Sequence, residues 1–573
     1  MHPRYLFPFL SALLWSSVAS AAINVTFPAS PPPSSAVNVV YDNFLGISFE
    51  LSSFNTLWGE STTTIPPAIL NYLHNIRSRL GDSSPLRIRV GGNSMDESLY
   101  APDQKQMLTF PDPDAPSNNI PTNFGPVLWD VMGAVSKQVG GISFLVGLSM
   151  REDRPNWGVG NVVETAVAAN KALGSNLDGF LLGNEPDLYS GHGNIPGYNI
   201  SLYMNDVGTI LDSLRDSPSG NLLESPLIGG PTICCSWDLK DVITSGLGNY
   251  RYKYYSMQHY PTHACAGENP TNTNISYFLT HSNLDTFVSW NQPGVARAKA
   301  ANTPVLLTEY NSVACGGSSV SDTFATALWA TDVALKHAAN NFSSVYLHTR
   351  EYGVKYNLFD PPSAPPDPKN LNVSSTETSV KSGWKTGSVY YAELVLAEVL
   401  SSTGSVVVDL NLNNSATNPF STVAAYGIYD AGGSTQGKLV LFNYAYSNAS
   451  SPSQFNQTFA IPPRLKETVS FRLLSAPAVD ARTDITWAGQ TIGEVGDLTG
   501  EQVTTSVDCW GGCEIAVPGP GMAVVWVGED DVWIGNSTLP ERAVSGGRRQ
   551  RVEGWRVGPL FAMICAGLLC LMH

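Results

Sequence analysis

Positive charge is scarce in this 573-residue chain: Lys and Arg number 32 against 48 Asp and Glu, for a formal net charge of −16 and a pI near 5.0. A surface of that sign repels long polyanions, which excludes a protein that holds nucleic acid through phosphate contacts; a local basic pocket for one carboxylate stays compatible with it. Cysteine is also sparse. Of eight, Cys565 and Cys570 sit in an apolar terminal tail, and among Cys234, Cys235, Cys265, Cys315, Cys509 and Cys513 no Cys-X-X-Cys pair is followed by a His partner, so a zinc site lacks its ligand set. No internal repeat and no nucleotide, haem or metal motif is found, and no cofactor is expected. The apolar tail itself, residues 557–572, is too short for a comfortable membrane-spanning helix.

What is present points outside the cell. The first 22 residues carry an early Arg4, an apolar stretch through Leu13-Leu14-Trp15 and small residues from Val18 to Ala22, the layout of a cleaved secretory signal. Asn24, Asn199, Asn274, Asn341, Asn372, Asn413, Asn448, Asn456 and Asn536 each begin an Asn-X-Ser/Thr sequon. In an oxidising compartment Cys509 and Cys513 would close a small loop around Trp510, and the other four cysteines of the body could pair among themselves. At the C-terminus, Ser545-Gly546-Gly547, a polar spacer and the apolar tail form the three parts of a glycolipid-anchor signal, so a secreted protein tethered to the outer cell surface is expected. A frayed extension or a short tail anchor is the other reading. Oligomeric state is not legible.

Hydrophobic residues make up 43% of the chain and aromatics 10%, enough for a large core. From Phe44 the pattern is strand, loop, helix, repeated. Strands are expected at residues 44–49, 86–90, 142–148, 179–182, 226–229, 255–259, 305–308 and 345–348, with helices at 67–79, 161–173, 201–214, 281–298, 321–339 and 388–400. That number of βα units closes a (β/α)8 TIM barrel. From Ser405 onward, short β-branched runs between Gly, Asn and Pro turns read as an antiparallel β-sandwich. The expected division is a signal at 1–22, strands at 23–41 that pack on the β-domain, the barrel at 42–402, the sandwich at 403–535, and a linker with the hydrophobic tail at 536–573.

Two apolar runs end in carboxylates: Gly179 to Leu182 leads into Gly183-Asn184-Glu185-Pro186, and Val305 to Thr308 into Glu309-Tyr310. Two acids at the C-terminal ends of barrel strands are the minimum equipment for cleaving a glycosidic bond, one to protonate the leaving oxygen and one to attack the anomeric carbon or activate water. Other strand ends add polar groups on the same face: Glu50 after Ser48-Phe49, Asn93 after Gly91-Gly92, His259-Tyr260, and His348-Thr349-Arg350-Glu351. Their convergence makes a binding pocket.

With these residues in view, the chain resembles glycoside hydrolase family 79, the β-glucuronidases and heparanase, from Phe44 into the β-domain. Asn184-Glu185-Pro186, Glu309, Leu86-Arg87-Ile88-Arg89-Val90-Gly91-Gly92, His259-Tyr260 and Tyr356-Asn357-Leu358-Phe359-Asp360 carry the likeness. The resemblance implies a retaining hydrolase in which Glu185 is the acid/base and Glu309 the nucleophile. It also implies that Asn184 binds the sugar 2-hydroxyl, Tyr260 neighbours the nucleophile, and the Gly316 and Gly317 amides with the Tyr356 hydroxyl hold a uronate carboxylate, with Glu50 and His259 among the substrate contacts. Heparanase reads sulfated chains with basic clusters and is assembled from two chains. Neither a basic run near the barrel mouth nor an excisable insertion occurs here, which favours release of a terminal β-glucuronosyl residue, with or without a 4-O-methyl group. The competing readings are a related barrel acting on neutral β-sugars, an endo-β-glucuronidase, and a cell-wall carbohydrate-binding protein without turnover.

Overall fold

A computed structural model of the chain describes residues 21–32, 38–115, 120–151, 158–191, 195–362, 383–447, 455–463, 467–528 and 532–533. Almost all of the expected export signal, and the whole hydrophobic tail, lie outside them. Eight parallel strands close into a barrel in chain order: β1 Leu45–Glu50, β2 Leu86–Gly91, β3 Ile142–Leu148, β4 Leu177–Leu182, β5 Ile228–Ile233, β6 Tyr254–His259, β7 Val305–Tyr310 and β8 Ser344–Thr349. One long helix follows each: α1 Pro67–Arg77, α2 Val127–Val139, α3 Val159–Leu173, α4 Ile200–Arg215, α5 Leu239–Thr244, α6 Gln292–Ala300, α7 Phe324–Ala339 and α8 Tyr390–Val399. Strands walled by helices outside and by side chains inside are buried on both faces, which is why they read as apolar runs rather than as alternating ones. Leu145, Leu181, Leu306 and Tyr346 meet across the interior and plug the barrel below the site.

Two expectations need correction. The helix expected over 281–298 is broken into Asn283–Ser289 and α6, because Pro293 takes a first-turn position and restarts the helix after Asn291. Strand β5 runs on to Ile233 rather than ending at 229; the Gly230-Pro231 pair reads as a terminator, yet both residues lie within the strand, and the register against β6 slips between Pro231 and Ile233.

The C-terminal domain is a sandwich. Strands β9 Ser405–Asp409, β10 Val423–Asp430, β11 Gln436–Asn443, β13 Thr468–Ser475 and β15 Gly521–Trp526 build the larger, antiparallel sheet, and β12 Phe455–Ile461 with β14 Cys513–Gly519 the smaller. Val406, Leu441 and Val525 from one sheet and Phe459, Ile515 and Val517 from the other share one core. The short N-terminal strands Ile23–Asn24 and Val39–Val40 pair with β12 and β9. Two buried polar networks join sandwich to barrel on the helix side. Glu398 on α8 receives Arg79 at 2.8 Å, Arg472 of β13 at 2.6 Å and the Trp487 indole at 2.9 Å. His281 lies 2.9 Å from Asp332 and 3.1 Å from Asp409, and those two acids, Asp332 ahead of the hydrogen bonds, overcome burial and lift it to about 10.

Candidate active site

At the strands' C-terminal ends, the side chains of five strands of the barrel meet around one cation. Arg89 of β2, fully buried, donates from Nη1 to Glu309 Oε2 at 2.7 Å and Ser48 Oγ at 3.0 Å, and from Nη2 to Asn184 Oδ1 at 2.6 Å. A guanidinium offers only donors, so every atom facing it must accept. The Tyr260 hydroxyl donates to the other carboxylate oxygen, Glu309 Oε1, at 2.8 Å. Burial, then the charge of Glu309, pushes that phenol far above its usual range and keeps it a donor.

The direction of Glu309 depends on a local irregularity. Leu306 points into the barrel, so strict alternation would turn Thr308 inward and Glu309 toward the helices. Strand β7 carries one extra residue relative to both neighbours: Met257 pairs with Leu307 but Gln258 with Glu309, and Leu307 and Tyr310 face Val345 and Leu347. This bulge at Thr308 reverses the parity. Glu309 faces Arg89, and Tyr310 packs outward against Trp329 and His337 of α7.

Glu185 stands three residues past the end of β4 in a left-handed conformation, φ 52°. A side chain bearing a β-carbon pays about 1–2 kcal/mol for that region, so the loop must be held from outside. Glu185 N donates to the carbonyl of Thr232, also left-handed at φ 54°, and the Thr232 hydroxyl donates back to the Gly183 carbonyl. Asp187 gathers the backbone amides of Cys234, Cys235 and Ser236. Asn184 N donates to Asp96 at 2.8 Å. Among the described residues no cation is within bonding distance of the Glu185 carboxyl. Burial, and next the negative charge of Glu309, raises its pKa well above the usual carboxylate value and favours its protonated form.

The remaining acid, Glu50 at the end of β1, is 2% exposed. It accepts from Ser94 N at 2.8 Å and Ser94 Oγ at 2.5 Å, and His348 Nε2 approaches it to 3.4 Å. Burial opposes its charge, but His348, Arg350 and Ser94 outweigh burial and bring it down to about 2. Gly92, at φ 82°, makes room: a β-carbon there would collide with the Glu50 carboxylate. Among the described residues no group of three or more His, Cys, Asp or Glu is placed to hold a metal ion.

The structure therefore brings Glu185, Glu309, Asn184, Tyr260 and Glu50 together. Tyr356 joins them, its ring 6.2 Å from that of Tyr260 and 6.3 Å from that of His348. Gly316 and Gly317, both left-handed, sit beside the Tyr356 loop because Lys355 N donates to the Gly316 carbonyl. One part of the expected carboxylate clamp needs correction: Gly317 N–H already donates to the Val313 carbonyl at 3.1 Å, closing the turn. His259 is a second correction. Tyr254 and Gln258 of β6 face inward, so His259 faces out, where its ring stacks on Trp290 at 4.3 Å and on Phe287; burial lowers it to about 4. Sequence reasoning named Gln258 and His348 only as polar groups at strand ends, without roles, and passed over Arg89 as a site residue. Arg89 had a signal, since a charge inside an apolar barrel strand demands a buried partner.

Residues 425–524 match the family described as glycosyl hydrolase family 79 C-terminal beta domain. Proteins named β-glucuronidase from Neurospora crassa and Aspergillus niger are 25% and 26% identical to the chain over 513 and 501 residues. The alignments cover 79% and 82% of this chain and 85% and 86% of those proteins. A solved structure of a 4-O-α-L-rhamnosyl-β-D-glucuronidase from Fusarium oxysporum shares the fold, with a TM-score of 0.71 at 23% identity over 88% of this chain and 100% of that one. A barrel with two acids in opposed settings at its mouth, a sandwich whose residues 425–524 match the family 79 C-terminal domain, and relatives that align along most of their length mark the chain as a glycoside hydrolase similar to those of family 79.

Proposed function

We propose that the chain is a retaining, exo-acting β-glucuronidase. The observation that carries this reading is the opposed setting of the two acids: Glu309 is held by donors, Arg89 and Tyr260, while among the described residues no cation bonds Glu185 and burial favours its protonated form. Glu309 attacks the anomeric carbon as Glu185 passes its proton to the leaving oxygen, giving a glycosyl ester on Glu309. Glu185, now ionised, takes a proton from water, and the water oxygen displaces the ester with overall retention. Asn184 is placed for the 2-hydroxyl. The uronate carboxylate goes to the Gly316 amide and to Tyr356, whose hydroxyl stays protonated because burial raises it; Arg350, 8% exposed and paired with Glu351 at 2.6 Å, supplies positive charge beside it. The names of the two fungal relatives support glucuronides as the substrate class.

The purified protein should hydrolyse an aryl β-glucuronide at least about tenfold faster than the matching xyloside or glucoside, the difference a hydrogen-bonded substituent confers. Equal rates would return the assignment to a neutral-sugar enzyme. Glu185→Ala should lose turnover of alkyl glucuronides on the order of 10²–10⁴-fold, the usual contribution of a general acid. With activated aryl glucuronides it should regain rate on addition of azide and release the β-configured glycosyl azide. An α-configured azide from this variant would contradict the assignment.

We extend the reading to an exported protein tethered by a lipid. The signal-like N-terminus, the small-residue, spacer and apolar-tail order of the C-terminus, and the exposure of the sequon asparagines Asn24, Asn199, Asn274, Asn413 and Asn456 support it. Treatment of cells with a phosphatidylinositol-specific phospholipase should release the enzyme; retention on the membrane after complete digestion would remove the lipid anchor from the proposal.

A further inference from the structure

Gln258, fully buried on β6, has its side-chain amide 2.8 Å from Asn184 Oδ1 and 2.9 Å from Glu185 Oε1. Its two ends can be assigned by working outward from the one group whose character is fixed. Arg89 only donates, so the Asn184 atom 2.6 Å from Nη2 is the oxygen. The Asn184 nitrogen then faces Asn93 Oδ1, to which it donates at 2.7 Å. The Gln258 atom 2.8 Å from Asn184 Oδ1 must donate, so it is nitrogen, and the Gln258 oxygen is left facing Glu185 Oε1. Two oxygens 2.9 Å apart in a buried site need a proton between them. Gln258 cannot provide it. A protonated Glu185 can.

Turning the amide over reverses this. Its nitrogen would donate to an ionised Glu185 at 2.9 Å and its oxygen would accept from Arg89 Nη2 at 3.1 Å, but that oxygen would lie 2.8 Å from Asn184 Oδ1, which Arg89 prevents from turning in compensation. The orientation that serves the acid satisfies Asn184 and sets the Gln258 nitrogen 3.1 Å from Arg89 Nη2, two donors sharing the one Asn184 oxygen, whereas the orientation that serves the base gains the Arg89 bond but sets two oxygens against each other at 2.8 Å. We infer that Gln258 is a positioning residue that keeps the catalytic proton on Glu185 and aims it, through a chain of amides anchored on Arg89. It turns over only while Glu185 is ionised in the glycosyl-enzyme. The other charged or titratable groups facing Glu185 are Glu309 of β7, Asp187 of its own loop, Arg89 of β2, Glu50 of β1 and Tyr260 beyond β6. None of these accepts a proton from it through a neutral group. The inference rests on the proposed roles of Glu185 and Glu309.

The test separates proton delivery from architecture by the leaving group. Gln258→Met, matched in size, should lower kcat/KM about 10- to 100-fold for an alkyl β-glucuronide, whose departure needs a proton, and less than about threefold for 2,4-dinitrophenyl β-glucuronide, whose departure does not. The alkaline limb of its kcat/KM profile should move to lower pH. Gln258→Glu, which restores an acceptor of the same shape, should recover most of the alkyl activity and move that limb upward. A loss of the same size on both substrates, or on neither, overturns the positioning role, with thermal unfolding showing that each variant is folded. Glu185→Gln run alongside keeps the two levels apart: if it shows the leaving-group selectivity and Gln258→Met does not, the inference fails alone; if neither variant shows it, the acid/base assignment fails first.

Discussion

Replacing Glu309 by alanine should lower kcat/KM for an aryl β-glucuronide on the order of 10⁵-fold, the scale on which loss of a covalent nucleophile is felt. The side chain has no substitute nearby. Glu50 is engaged by Ser94 and His348, Glu185 holds its proton, and the Tyr260 hydroxyl stays protonated. The fold should survive, because Arg89 keeps its bonds to Ser48 and Asn184. Azide then offers a stringent check. Entering the cavity left on the nucleophile's side, it should yield the α-glycosyl azide, opposite in configuration to the product from Glu185→Ala. Undiminished hydrolysis, or a β-configured azide, would move the nucleophile elsewhere.

The second large effect concerns stability and lies behind the barrel wall. Helix α8 is buried along its whole length, and Glu393 in its first turn has both carboxyl oxygens without a hydrogen-bond partner; the Tyr310 hydroxyl is in the same position. Burial alone raises the Glu393 pKa from 4.5 to about 8. Below pH 4.5 both folded and unfolded chains carry this proton and stability is independent of it. Between 4.5 and about 8 the unfolded chain has lost the proton and the folded chain retains it, so stability falls as pH rises, by up to about 1.4 kcal/mol per pH unit and several kcal/mol in all. Glu393→Gln, neutral at every pH and of the same size, removes that slope. It should match the wild type at pH 4 and unfold at a clearly higher temperature at pH 8, the gap widening steadily between. Unfolding curves whose separation is independent of pH would show that Glu393 is not held protonated.

The barrel was legible because its strands are apolar runs of the right length at the right spacing, and the two candidate acids because each interrupts such a run with a charge. Other features depend on distances that no single segment records. Arg89 stands in a motif that carries the family likeness, yet its strand reads as wall until three distant acceptors are seen around it. Gln258 is uncharged and leaves no mark of its own. His259 was read from its neighbour Tyr260, although alternation along β6 already sends residue 259 to the helix side. Gly317 fits an anion-binding turn, and only the backbone bond to Val313 shows that its amide has another partner. The break at Asn291 and the strand continuing through Pro231 depend on how Pro is accommodated, which sequence gives as a tendency.

The extra residue in β7 has a consequence for anyone recombining this enzyme with its relatives. Because the outward or inward sense of everything after Thr308 is set by that insertion, a chimaera spliced between Leu306 and Tyr310 must inherit the irregular backbone from one parent intact. A hybrid that kept the residue count but ironed the bulge into regular alternation would keep its eight strands and its hydrophobic seal, and would present a tyrosine to the sugar and a carboxylate to the helix layer.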